Sequence, residues 1–210
     1  MSHPLNIDAP SGKPWIDFTR EFDAPVEAVF NAHRDPELVR QWLGPRGYEM
    51  DIERWDFTSG GGYRYTHRDG DNVYGFHGTF HTVRDNELAI QTFEFEGAPD
   101  EVAIEFMRFV DLGDGRCRLE GHSVGPSVEG RDMMIESGME KGMVEGYERL
   151  DELVASASTA AAQARRPWTG PSRWSSSRSA TSTPRSPSTA TRSGSSSTTT
   201  RRPSTCTSPS

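Results

Sequence analysis

Apolar and polar positions divide the chain into stretches of period two and stretches of helical period, in an order that already outlines a fold. Residues 15 to 22, WIDFTREF, alternate apolar and polar and predict a strand. Asp23-Ala24-Pro25 then reads as a helix start, with Asp23 as cap and proline in the first turn. That helix carries Val26, Val29 and Phe30 inward. Asp35-Pro36 opens a second short helix with Leu38, Val39 and Trp42 inward, and Gly44-Pro45 ends it. Six further strands are predicted: 49–57, 62–67, 72–83, 88–95, 101–111 and 116–124. Turn chemistry separates them: Ser59-Gly60-Gly61, Asp69-Gly70-Asp71, Arg84-Asp85-Asn86, Gly97-Ala98-Pro99 and Gly113-Asp114-Gly115. Strands joined by turns this short must be antiparallel, because a parallel crossover needs about a dozen residues.

The period then changes. From Val128 to Ala155 the residues Ile135, Met139, Met143, Tyr147, Leu150 and Val154 recur three or four apart, one face of a long helix. Gly138, Gly142 and Gly146 form a second stripe, and each glycine in a helix interior costs about 1 kcal/mol relative to alanine. Three in register imply a backbone pressed against a neighbour or room left beside the helix. Glu145 and Arg149 are spaced for an i,i+4 pair. The economical way to bury all these faces is an α+β fold in which a curved antiparallel sheet wraps the last helix.

Charge changes the picture at the C-terminal end. From Arg165 onward there are eight Arg and no Asp, Glu or Lys, against Ser, Thr and Pro. Removing those eight from 23 basic residues leaves 15 against 31 acidic ones, so the remainder carries −16 and the tail +8, giving the total of −8. The sequence thus divides into an N-terminal extension (1–12), a domain (13–157) and a tail (158–210). The tail's low hydrophobicity and lack of periodicity predict disorder. The abrupt loss of every acidic residue also fits a reading-frame shift. An acidic domain argues against nucleic acid as its partner. Cys117 and Cys206 give no disulfide framework, the N-terminus has no apolar signal core, and no run of 18 apolar residues occurs. These features predict a cytoplasmic protein without membrane insertion.

The segments FDAPVEAVFNAHRDPELVRQWLGP, SGGGYRY, YGFHGTFHTV and SGMEKGMVEGYERLDELV resemble the START-like (SRPBCC) superfamily. Within it they resemble bacterial relatives of the activator of heat-shock protein 90 ATPase homologue, over residues 13–156. The resemblance implies a helix-grip, Bet v 1-like fold: a seven-stranded antiparallel sheet gripping the C-terminal helix, with an apolar cavity between.

Candidate binding residues follow from strand alternation. Tyr63, Tyr65 and His67 share one strand face, Phe76 and Phe80 another, Phe93 and Phe95 a third, and Val102, Ile104 and Phe106 a fourth. With Trp42, Trp55, Met139 and Met143 they make up an apolar lining with a few polar tips, the usual composition of a small-molecule pocket. The plainer account is that they fill the core. The expected ligand is a small apolar or amphipathic molecule, with no cofactor. His77 and His81 share a strand face but stand about 13 Å apart, too far to hold one metal ion together. Glu94, Glu105 and Glu120 alternate with apolar residues and read as a solvated face. Superfamily cyclases imply an enzymatic alternative, for which Tyr63, Tyr65, His67 and Arg108 match by residue type only. No Gly-x-Ser-x-Gly elbow, P-loop or dinucleotide fingerprint is present. The family likeness implies a second alternative, a co-chaperone-type interaction module. A chaperone partner is not expected, because only about fourteen residues precede the first strand where the eukaryotic co-chaperones carry a separate domain. Homodimerisation is compatible with the sequence.

Overall fold

The computed structural model describes residues 3–164, with side chains up to residue 156. Met1–Pro167 forms one compact unit. The second, Trp168–Ser210, lies outside the described residues, as do Cys206 and the expectation of disorder for the arginine-rich tail.

The strands are β1 (Asn6–Asp8), β2 (Trp15–Phe22), β3 (Glu49–Trp55), β4 (Gly62–Asp69), β5 (Asn72–Arg84), β6 (Leu88–Phe95), β7 (Ala103–Gly113) and β8 (Arg116–Val124). The helices are α1 (Val26–Arg34), α2 (Pro36–Trp42), α3 (Val128–Glu136) and α4 (Met139–Ala164). All strand pairs are antiparallel, in one sheet of order β1-β2-β8-β7-β6-β5-β4-β3. The sheet has eight strands where seven were expected. The extra one is β1, whose Asn6, Ile7 and Asp8 pair with Thr19, Phe18 and Asp17 inside the supposed extension. Three residues are too few to show alternation. At the opposite edge, β3 exposes Glu49, Asp51 and Glu53 while Met50 and Ile52 turn toward the core.

Local chemistry explains the helix ends. Asp35 caps α2, its Oδ1 accepting from the Glu37 amide at 2.9 Å, with Pro36 as the first helical residue. Asp23 does not cap α1: Pro25 occupies the cap position, and Asp23 instead faces His3 at 3.1 Å. The long C-terminal helix is two helices. Gly138, at φ +86°, ends α3 with a left-handed residue that glycine adopts at no steric cost, and Ile135 is consequently exposed instead of continuing the buried stripe. Gly146 answers the question its stripe poses. A Cβ there would stand 3.2 Å from the Trp42 carbonyl oxygen, so α4 lies with its backbone against the end of α2. The Glu145–Arg149 pair does not form. Glu145 accepts from the Arg46 amide at 2.9 Å, and Arg149 donates to the carbonyls of Gly44 and Pro45. Alanines after residue 155 carry α4 to Ala164, beyond the boundary drawn at 157.

The core lies between the concave face of the sheet and the helices. Phe22, Val29, Phe30, Val39, Leu119 and Leu150 are fully buried there. Phe30 meets Phe57 and Phe109 edge-on at 5.6 and 5.1 Å, and Trp42 stacks on Tyr147 at 5.8 Å. His33 is buried in this end, its Nδ1 donating to the Val29 carbonyl at 2.7 Å; burial holds its pKa down at about 4.

A candidate binding groove on the concave face

Strand register decides which side chains can meet a ligand. Phe93 pairs with Ala103, Gln91 with Glu105, and Ala89 with Met107, so these residues share the concave face of β6 and β7. On β4 and β5 the pairs Tyr63 with Gly78 and Tyr65 with Phe76 continue it. Gly78 makes room for the Tyr63 ring, since a Cβ there would stand 2.7 Å from the phenol oxygen. Tyr63 can therefore lie across β5 and donate to the Thr92 carbonyl at 2.8 Å.

Eight of the nine candidate residues on strands, Trp55, Tyr63, Tyr65, His67, Phe76, Phe80, Phe93 and Phe95, turn toward this face. Tyr65, Phe93 and Phe95 surround the Phe76 ring at 5.2 to 5.6 Å, and each of the three phenylalanines is only half-buried. Trp55 tilts over Tyr63 at 5.5 Å and donates its Nε1–H to the His33 carbonyl at 3.1 Å. Trp42 and Phe80 are buried in the core itself. Met143 packs against the core from α4, and Met139 is half-buried at the helix start. His67 is buried between Tyr48, Tyr65 and Phe76, with its ring against the Gly44 backbone. Burial, then the Arg149 charge, lowers its pKa to about 4, so the ring is neutral at pH 7.

Phe106 is the exception. It pairs with Ile90 and His122 on the convex face and is exposed together with Val102 and Ile104. Alternation grouped these three correctly but not with the chamber, because a period of two does not say which face is inside.

The same inversion hid the polar centre of the groove. Glu105 does not share the outward face of Glu94 and Glu120. Its side chain points inward, opposite Ser123 and Gln91, and accepts from Gln91 Nε2 at 2.7 Å. Loss of hydration raises its pKa, opposed in part by the Gln91 hydrogen bond. Its negative charge also reaches Tyr63, Tyr65 and Tyr147, whose phenols burial already holds above their ordinary range. Arg20 lies on the concave face of β2, buried and ion-paired with Asp151 of α4.

A cavity of about 30 Å³ opens between α3 and this face, lined by Ile16, Glu101, Ala103, Ser123 and Arg131 among others. It is water-sized. A larger hollow of about 300 Å³ lies on the other face, among His3, Thr19, Glu21, Arg118 and Glu120. Its lining is charged and far from the aromatic rings, so the concave face is the better candidate site. Among the described residues no group of three His, Cys, Asp or Glu side chains is placed to hold a metal, and no helix is long and apolar enough to cross a membrane.

The family model described as Activator of Hsp90 ATPase homolog 1-like protein matches residues 23–155. The chain belongs to that family. The Activator of Hsp90 ATPase homolog 1-like match begins just after β2 and ends within α4, so it includes β3 to β8. Among solved structures, a protein from Arthrobacter aurescens is 26% identical with a TM-score of 0.66, over 72% of this chain and 91% of that one. A protein from Rhodobacter sphaeroides is 22% identical with a TM-score of 0.66, over 73% and 99%. Ms6760 from Mycobacterium smegmatis is 20% identical with a TM-score of 0.65, over 73% and 99%. These likenesses confirm the α+β helix-grip fold. No curated protein matches the chain.

Proposed function

We propose that this family member binds a small amphipathic molecule along the concave face of its sheet, between the aromatic strands and α4. One observation carries the reading. Phe76, Phe93, Phe95, Gln91 and Glu105 all face inward, yet each remains only half-buried. Inward-facing rings that neighbouring side chains leave incompletely covered, around one polar pair, are the makeup of a ligand site rather than of a finished core. Tyr63, Tyr65, His67, Trp55, Met139 and Met143 border the same region. In this reading the site binds rather than catalyses, and it uses no cofactor.

A second reading rests on the convex face, where Ile104 and Phe106 of β7 are exposed, with Val102 exposed just before the strand begins. Such a strip favours a protein contact, with a second copy or a different partner. Native mass spectrometry of the full chain purified from cells separates the two. The ligand reading expects a reproducible excess mass that leaves as a small molecule on denaturation. An apo mass at the monomer position, with no melting shift across a panel of apolar compounds, overturns it. A dimer that Phe106→Glu dissociates supports the second.

A further inference from the structure

The inward carboxylate of Glu105 has no positive partner of its own. Its one hydrogen bond is from neutral Gln91, and among the described residues no Lys, Arg or His nitrogen lies within salt-bridge distance of it. Two buried guanidiniums, Arg20 and Arg131, are ion-paired with Asp151 and Asp132. A carboxylate withdrawn from water is costly unless a charge or several hydrogen bonds compensate it. Here Glu105 turns inward between Gln91 and Ser123 on the neighbouring strands, and loss of hydration raises its pKa. The surroundings are aromatic. Tyr63, Tyr65 and Tyr147 all lie within reach of its charge, and Phe93 stands two residues along the same strand face from Gln91. Ring faces attract cations and do not attract anions. An anionic head would meet Glu105 at close quarters and be repelled. A neutral head would find one acceptor. A protonated amine would find both the missing counter-charge and the ring faces.

We propose that the groove selects amphipathic molecules carrying a protonated amine, with the ammonium at Glu105 and the apolar body along Tyr65, Phe76 and Phe93. This inference rests on the ligand-binding reading above and narrows it to a chemical class.

The test compares three probes with one apolar body, decylamine, decanol and decanoate, each below its micelle concentration, titrated into the full chain by calorimetry. Decylamine is expected to bind at least about tenfold tighter than decanol, with decanoate weakest, and to move the side-chain amide resonances of Gln91. Glu105→Gln keeps a partner for Gln91 and the same shape. It is expected to bring decylamine down to the decanol affinity. Equal or tighter binding of decanol or decanoate by the unaltered chain overturns the amine preference without touching the ligand-binding reading. Undiminished decylamine binding by the Glu105→Gln chain does the same, since it marks attraction to the acidic surface at large. Failure of all three probes to bind overturns both readings together.

Discussion

The two ends of the concave face are built from the same residue types and behave differently. At the α1–α2 end, Phe22, Val29, Phe30, Leu119 and Leu150 are sealed from solvent, and Phe30 is clasped by Phe57 and Phe109. Across β5, β6 and β7, Phe76, Phe93 and Phe95 face the same way but stay half-exposed around Gln91 and Glu105. Two helices and α4 cover the first end. The C-terminal helix breaks at Gly138, and α3 departs from the stripe that Ile135 would have continued. The closed end holds the fully buried rings, and the open end keeps apolar surface that neighbouring side chains do not cover.

Mutations at the two ends should therefore separate stability from binding. Phe30→Ala removes a fully buried ring and is expected to cost about 3–5 kcal/mol, read by urea unfolding. A cost below about 1 kcal/mol would mean the closed end is not the anchor. Acid should act next. His33 and His67 both have folded pKa values of about 4 against 6.5 unfolded. Above 6.5 neither state is protonated and stability is complete. As pH falls from 6.5 toward 4, the unfolded chain takes up protons that the folded chain refuses, and stability is lost. Each histidine accounts for a loss on the order of 2–3 kcal/mol by pH 4. Unfolding series at pH 7 and pH 5 should show the loss, and His67→Gln should flatten it; an unchanged slope would contradict the assigned burial. Phe93→Ala, at the open end, should cost only about 1 kcal/mol because the ring is half-exposed, yet abolish binding of whatever the groove holds. The smallest effect is expected of Glu105→Gln. Burial raises the carboxyl's pKa, so ionisation works against folding at neutral pH, and the variant should melt slightly higher at pH 7, with the gap closing as pH falls.

Much of the fold was legible in the sequence because turn residues mark every strand boundary and Asp35-Pro36 marks the start of α2. Three features were not. β1 is three residues long, below the length at which alternation has meaning. Gly138 sits in a stripe of glycines, and nothing in the spacing distinguishes one that adopts positive φ from Gly146, which admits a close backbone. The polar centre was obscured by β7 itself. There the outward set is Ile104 and Phe106 while the inward set includes Ala103 and Glu105, so hydrophobicity points to the wrong face. The useful signal was Phe109, fully committed to the core and in phase with Glu105. Phase with a committed neighbour is a better guide than the size of the local residue.

The edge strand β3 has a bearing on how the molecules behave in a crowd. An eight-stranded sheet that does not close leaves backbone groups free along that margin, a template on which another sheet can grow. Glu49, Asp51 and Glu53 line the margin, with Asp51 and Glu53 paired to Arg40 and Arg64, so a second sheet docking there must accommodate a row of charged side chains. The half-covered aromatic face is thus carried on a sheet whose β3 margin is charged, a feature that disfavours edge-to-edge pairing.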